Sequence, residues 1–191
     1  AAGKRVEHIC IQDEGGMKNS VAKGIEIVEQ MKKEAAAQER VPFPMSQLVV
    51  GLNAGGSDWT SGIAANISVG HASDLVWQRG GGSIIGGGVR FIPGDEAYHC
   101  DRAVTYEAGL AVLDALDEYC HDLIELTGQS VSEVNPTPGN KRGGVTTLAE
   151  KAMGTVKLHG HVPLYGVLQT GDRVPHPGGW VLDERHGAND M

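Results

Sequence analysis

Hydrophobic and polar positions at the start of the chain follow first the period of a strand and then that of a helix. Residues 6–12 alternate apolar with polar side chains, which predicts a strand. Over residues 17 to about 39, apolar side chains recur at spacings of three and four and so share one helical face. These apolar positions are Val21, Ile25, Val28 and Met31. The chain is therefore predicted to open as a strand and a helix, which ends at Pro42 and Pro44.

The following segments repeat this order. Residues 46–53 form a short β-branched run that suits a buried strand of a parallel sheet. A second helix is predicted from residue 61 to about 78, and a short strand near residues 83–85. Such alternation with short connections is typical of layered α/β folds. The sequence therefore predicts an α/β fold with a mostly parallel sheet and flanking helices, in a three-layer, Rossmann-like arrangement.

The most strongly periodic helix is predicted over residues 101–127, and Gly128 is placed to cap its C-terminus. Thr146 or Thr147 caps a later short helix, and residues 163–169 form a predicted last strand. We expect a single α/β domain over the whole chain. Its two halves are joined by the Pro- and Gly-rich loop at residues 128–145.

Composition narrows the classes of partner. The formal net charge is -8, from 16 basic and 24 acidic residues, which argues against a nucleic-acid backbone. The apolar runs are too short to cross a membrane, so we expect no membrane partner and a cytoplasmic location. The 3 cysteines are an odd number at irregular spacing, which predicts neither a disulfide framework nor a zinc ribbon.

Glycine is the most informative feature of the composition, with 28 residues of 191. The glycines gather at 51–62, 80–88, 139–144 and 178–179, between predicted helices and strands. Because a residue without Cβ allows close approach of the backbone, this clustering indicates several loops that converge on a ligand. The alternative is a loop-rich protein with many turns.

The first motif, GLNAGGSDWTSG at residues 51–62, is a turn between a predicted strand and a predicted helix. A helix N-terminus in this position offers unpaired N–H groups to an anion such as a carboxylate. Alternatively, Asp58, Thr60 or Ser61 simply caps the helix. Trp59 stacks on a sugar face or packs against the protein.

The second motif, NPTPGNKRGGVTTLAEK at residues 135–151, is a loop that leads into the short helix. Its prolines limit the conformational entropy of the chain, and Asn140, Lys141 and Arg142 supply donors for carboxylate or hydroxyl groups. A surface connection with solvated basic side chains is the alternative.

Together, the stretches GLNAGGSDWTSGIAAN, GHASD and NPTPGNKRGGVTTLAEKAMG resemble the signature sequences of the altronate/galactarate dehydratase family, in order and spacing. The resemblance implies a hydro-lyase that removes water from an aldarate or aldonate, such as galactarate or altronate, to give a 2-keto-3-deoxy acid. It also implies a divalent metal, Fe2+ or alternatively Mn2+. A sulfolactate-cleaving branch that breaks a C–S bond shares this scaffold.

The resemblance assigns roles residue by residue. Asp58 is the metal candidate, and Asp58 and Lys141 are the catalytic candidates, with Lys141 paired to a substrate carboxylate. The residues implied to hold the substrate are Gly55, Gly56, Ser57, Asn140, Gly143, Gly144, Thr146 and Thr147. No general base is assigned.

Two departures from the family pattern define an alternative. The family has Cys where this chain has Ala54, and acidic residues where it has Gly86–Gly88. They favour a non-catalytic module that binds a small anionic ligand or completes a partner's site. Because the family extends on both sides of this sequence, we expect a central fragment that is inactive alone, completed by a homo-oligomer or a partner domain.

Overall fold

The computed structural model describes residues 5–86 and 96–183. It divides the chain into two compact units, Ala1–Phe43 and Pro44–Met191. Because a compact unit need not fold independently, one domain over the whole chain stays a prediction.

The first unit contains helix α1, Met17–Ala36, which confirms the predicted helix. The strand predicted over residues 6–12 is wrong, since residues 11–15 form a turn. Local hydrogen bonds, such as Gly16 N to the Ile11 carbonyl at 2.9 Å, satisfy this backbone. The described part of this unit contains no strand with which residues 6–12 could pair, and a strand without a partner is not stable alone.

The apolar face of α1 is exposed within its own unit. Val21, Ile25 and Val28 have exposed fractions of 53%, 60% and 60%. The spacing of three and four therefore identified the helix correctly. The apolar face that it marks is nevertheless not buried within this unit.

The second unit contains four strands and six helices among its described residues, with short 3-10 or π segments between some of them. In chain order the elements are β1 (Val49–Leu52), α2 (Asn66–Gln78), β2 (Gly82–Ile85), α3 (Glu96–Arg102), α4 (Tyr106–Thr127), α5 (Val131–Val134), α6 (Pro138–Arg142), α7 (Leu148–Val156), β3 (Leu164–Gln169) and β4 (Gly179–Asp183). A π-helical turn, Ser61–Ala65, runs directly into α2.

The strands form one parallel sheet in the order β1-β2-β4-β3. This confirms the predicted α/β class with a parallel sheet and flanking helices. The last residues of β1 and β2, Leu52 and Ile85, are register partners. The loops that follow them therefore leave the same edge of the sheet, where open α/β folds bind ligands.

Helix α4 covers the sheet with the apolar stripe that the sequence predicted. Val112 and Leu116 pack in one core cluster with residues from every strand of the sheet. The strand and connecting residues of that cluster are Leu52, Ile85, Leu158, Leu164 and Val181. Burial of this apolar surface is the main stabilising contribution to the unit.

The helix predicted over residues 101–127 is two helices. Helix α3 ends at Arg102, and Thr105 caps α4 by accepting a hydrogen bond from Ala108 N at 3.1 Å. A threonine in this position favours a new helix start over continuation of the old helix. At the other end Gly128 adopts a left-handed φ of 70°, which confirms the predicted C-terminal cap.

Two further predictions need correction. Residues 163–169 contain β3 as predicted, but the last strand is β4. β4 lies between β2 and β3, and its first residue is Gly179, in the glycine cluster expected to form a ligand loop. The predicted loop at 128–145 contains α5 and α6. Among the described helices, none has the length and hydrophobicity needed to cross a bilayer.

Replacing Gly70 with alanine is expected to destabilise the second unit by about 2–3 kcal/mol, the cost of overpacking a tight contact. A Cβ at Gly70 would lie 2.0 Å from the Lys157 carbonyl oxygen and 2.9 Å from Gly160 N. Urea unfolding followed by circular dichroism measures the change. The control is Gly109→Ala in α4, where a Cβ would lie 3.6 Å from Ala103 Cβ and helix propensity favours alanine by up to about 1 kcal/mol. Equal stability of the Gly70 variant and the wild type would contradict this packing.

Candidate functional site

The two glycine-rich motifs, far apart in the sequence, lie against each other in the structure. The first loop leaves the carboxyl end of β1, and the second leads into α7. Trp59 N donates to the Gly143 carbonyl at 2.9 Å, and Asn140 Nδ2 donates to the Gly56 carbonyl at 2.9 Å. The motifs therefore form one site at the ligand-binding edge of the sheet.

Glycine is required where the loops touch. A Cβ at Gly143 would lie 2.8 Å from Asp58 Cβ. Gly144 has a φ of +86°, and its Cβ would lie 3.1 Å from Trp59 Cδ1. By contrast, a Cβ at Gly55 would meet nothing within 4 Å. Packing therefore explains the second pair of glycines, whereas ligand approach at Gly55 and Gly56 stays a prediction.

A pocket of about 360 Å³ lies between the loops and α7. This volume falls within the range of small-molecule sites. Its polar lining side chains are Ser57, Asp58, Ser61, Asn66, Glu150, Lys151, Thr155 and Lys157. Ser57 has a φ of 50°, a conformation that non-glycine residues rarely adopt and that recurs at functional sites.

Asp58 caps the π-helical turn that follows it. Its Oδ1 accepts from Thr60 Oγ1 at 2.6 Å, from Ser61 N at 2.8 Å and from Ser61 Oγ at 3.2 Å. The Thr60 hydroxyl, followed by the Ser61 amide, lowers the pKa of Asp58 below its ordinary value. These contacts favour the capping alternative and keep the carboxylate ionised.

Glu150 and the two threonines before α7 form a second cap. Thr147 Oγ1 accepts from Glu150 N at 3.1 Å, and Thr146 Oγ1 donates to Glu150 Oε2 at 2.9 Å. The backbone amides of Thr146 and then Thr147 lower the pKa of Glu150. The threonine hydroxyls thus serve helix α7, and their contact with substrate stays a prediction.

The metal implied by the family resemblance does not fit the described residues by themselves. Within residues 5–86 and 96–183, no three His, Cys, Asp or Glu side chains are grouped to hold an ion. Asp58 contributes one carboxylate, whose Oδ1 already accepts three hydrogen bonds. Gly87 and Gly88, which stand where the family has acidic residues, lie outside the described residues, and so does the nearby Asp95.

Lys141 and Arg142 are exposed in α6, and neither lines the pocket. Asn140 is buried, with an exposed fraction of 7%. Its Oδ1 accepts from Thr137 N at 3.0 Å, while its Nδ2 donates to the first loop. Both ends of the Asn140 amide are therefore fixed, and its substrate-binding role stays a prediction.

Among the charged pocket residues that the sequence analysis did not single out, Lys151 is the buried one. Its side chain lines the pocket although the residue is only 6% exposed. Nζ donates to Asn135 Oδ1 at 2.8 Å and to Asn140 Oδ1 at 2.9 Å. Burial lowers its pKa. The sequence did contain one indication of this residue. Lys151 shares one face of α7 with Leu148 and Ala152, and a lysine on an apolar helix face is rare.

The opposite wall is held close by small residues. Asn66 Nδ2 donates to the Gly154 carbonyl at 2.8 Å. A Cβ at Gly62 would lie 3.6 Å from Gly154 Cα. Helix α7 therefore packs directly on the π-helical turn. Single π-helical turns are frequent at functional sites.

Comparison with known proteins agrees with the motifs. The family described as "D-galactarate/Altronate dehydratase, C-terminal" matches residues 45–190. The chain is 35% identical over 169 residues to galactarate dehydratase (L-threo-forming) of Escherichia coli strain K12, covering 86% of this chain and 31% of the relative. It is 33% identical over 174 residues to altronate dehydratase of the same organism, covering 89% and 33%.

A third relative is the (2R)-sulfolactate sulfo-lyase subunit beta of Chromohalobacter salexigens, which is 30% identical over 100% of this chain and 49% of the relative. The chain thus spans 31%, 33% and 49% of the lengths of these three relatives.

Replacing Gly143 with alanine is expected to separate the two loops and to destabilise the second unit by about 1–3 kcal/mol, because the new methyl group overlaps Asp58. Thermal unfolding together with the tryptophan emission of the folded protein measures both effects. Gly139→Ala, in the short helix α6 that Gly143 directly follows, is the control, because its Cβ would lie 3.7 Å from Thr137 Oγ1, an ordinary contact. A Gly143 variant that matches this control would contradict the loop packing.

Proposed function

Because the chain belongs to the D-galactarate/altronate dehydratase family, we propose that it forms the sugar-acid site of a hydro-lyase acting on an aldarate or aldonate. Galactarate and altronate are the first candidates, and the product is a 2-keto-3-deoxy acid. The observation that carries the proposal is the meeting of both signature loops at one pocket, which Lys151 lines. The family is one of lyases, since the relatives named above are dehydratases.

The charges around the pocket support an anionic ligand. Its two acids, Asp58 and Glu150, already accept hydrogen bonds from neighbouring N–H and hydroxyl groups. Lys151 and Lys157 line the same pocket, and the recorded partners of Lys151 are neutral amides. A buried ammonium without a counter-charge is costly, so Lys151 favours its neutral form. Lys157, which also lines the pocket, would pair with a bound carboxylate.

The exposed tryptophan in the pocket lining supports a polyol ligand. Trp59 lines the pocket and is 58% exposed, although tryptophan usually packs inside a protein. An exposed indole offers an apolar face to the C–H groups of a sugar chain while its N–H remains free to hydrogen-bond. Trp59 therefore supports the sugar-stacking alternative over simple packing.

Elimination beside a carboxylate requires a base for the C2 proton, stabilisation of the enediolate and a proton for the leaving hydroxide. The described residues supply lysines and hydroxyl groups for these roles. Fe2+ or Mn2+ as a cofactor stays a prediction, since its ligands are not complete among the described residues. A cytoplasmic location and a homo-oligomer or partner domain also stay predictions.

A C–S lyase acting on sulfolactate is the second candidate, favoured by the relative that matches the whole chain. A non-catalytic ligand-binding module is the third. Ala54, the position where the family has cysteine, packs against the core cluster, so this position provides no thiol for chemistry.

We expect the full-length protein to convert at least one of galactarate and altronate to a 2-keto-3-deoxy acid. Proton NMR follows the product, with and without Fe2+ or Mn2+, and sulfite release from (2R)-sulfolactate tests the second candidate. Gly139→Ala should retain the wild-type rate, and Gly143→Ala should lose most of it. Stabilisation against heat by a sugar acid without product would indicate the ligand-binding module instead.

A further inference from the structure

We propose that Lys151 is the general base that removes the C2 proton of the substrate, an inference that rests on the proposed dehydratase function. The first argument is the hydrogen bonding of its amine. Asn140 presents its oxygen to Lys151, because its Nδ2 donates to Gly56 and its Oδ1 accepts from Thr137 N. Lys151 Nζ must therefore donate to this amide.

The side-chain amide of Asn135 is a second acceptor for the Lys151 amine. Lys151 Nζ donates to Asn135 Oδ1 at 2.8 Å as well as to Asn140 Oδ1 at 2.9 Å. A neutral amine has two N–H groups and one lone pair, so these two acceptors use both of its hydrogens. The remaining tetrahedral position is the lone pair, which we assign to the substrate because Lys151 lines the pocket.

The surroundings favour the neutral form that a base requires. The residue is 6% exposed, and its recorded partners are two uncharged amide oxygens. Burial without an opposite charge disfavours an ammonium, so its pKa lies below the ordinary lysine value of 10.5. Lysine bases in enzymes are tuned by such burial.

The other titratable groups of the pocket are less suited to this role. Asp58 and Glu150 have lowered pKa values, which makes them weaker bases, and donors already occupy one oxygen of each carboxylate. Lys157 Nζ lies 4.8 Å from the centroid of the Tyr98 ring, in a cation–π contact. We assign Lys157, which also lines the pocket, to the substrate carboxylate.

The proposed step balances without a further reactant. The Lys151 amine takes the C2 proton, and the C–H electron pair passes into the enediolate of the adjacent carboxylate. This electron pair then forms the C2–C3 double bond as the C3–O bond breaks. The Lys151 ammonium gives its proton to the departing hydroxyl group, so that one water leaves and the amine is restored. The enol product tautomerises to the 2-keto-3-deoxy acid.

Three variants of the whole protein test the assignment. Lys151→Arg keeps a cation that does not deprotonate, Lys151→Met keeps the length without a base, and Lys151→Ala leaves room for an added amine. We expect kcat to fall by about 10²–10⁴-fold in all three. Thermal stabilisation by the substrate should persist in Lys151→Met, because the loss affects proton transfer more than binding.

Chemical rescue and pH dependence provide the readouts that a structural role would not change. Ethylamine and its analogues should restore activity to Lys151→Ala, with rates that rise with amine basicity. In the wild type kcat/KM should increase with pH as Lys151 loses its proton, in a range below the ordinary lysine pKa. In the rescued variant this pH dependence should follow the pKa of the added amine.

The outcomes separate the two proposals. A wild-type protein that forms no keto acid from any sugar acid overturns both the dehydratase function and this inference. An active wild type whose Lys151→Met or Lys151→Arg variant retains kcat within about tenfold overturns only the assignment of the base, because loss of a base costs at least about 10²-fold. A raised KM with unchanged kcat would instead show that Lys151 anchors the carboxylate.

Discussion

The buried amide of Asn140 is the contact on which the site depends. One side chain accepts from the backbone of its own loop, donates to the backbone of the other loop and accepts from Lys151. Buried amides with every group satisfied are rigid, because any rotation leaves a donor or an acceptor unpaired. The position of the lysine nitrogen is thus defined by the same hydrogen bonds that join the two motifs.

The described structure separates groups that cap helical turns from a buried lysine. Asp58 was a catalytic candidate and Thr146 and Thr147 were substrate-binding candidates, yet their hydrogen bonds, like those of Glu150, cap helical turns. Lys151 makes no ion pair in the described part of the chain and is buried at the pocket. A buried ionisable side chain without an opposite charge has a shifted pKa. Such shifts are common at active sites, and the burial lowers the stability of the protein.

The sequence was sufficient for the parts of the fold that local patterns determine. The helix of residues 17–36, the strands near 49–52 and 82–85, and the cap at Gly128 follow from periodicity and glycine conformation. The strand at residues 179–183 was missed because glycine begins it, and its pairing with two neighbours decides its structure more than propensity does. The break before Tyr106 depends on one side-chain cap, which a continuous apolar stripe conceals.

For the site, the sequence identified both motifs but did not single out Lys151, the last residue of the second motif. Motif glycines are recognisable one at a time. Gly143 and Gly144 were predicted to hold substrate, which stays a prediction, and the structure places them where the two loops pack closely. The importance of Lys151 emerges only when Asn135 and Asn140 are brought to its nitrogen by tertiary structure. A single charged residue on an apolar helix face was the one local indication.

The contact between loops that stand 84 residues apart also has a kinetic consequence. The strand, helix and strand that carry the first loop can form early, whereas the pocket closes only after the chain has passed through α4 and reached α7. Contacts of such long sequence separation form late and slowly, because the intervening chain must lose its entropy first. Nascent chains would therefore become able to bind ligand only at the end of folding, and a bound sugar acid would select molecules that have completed it.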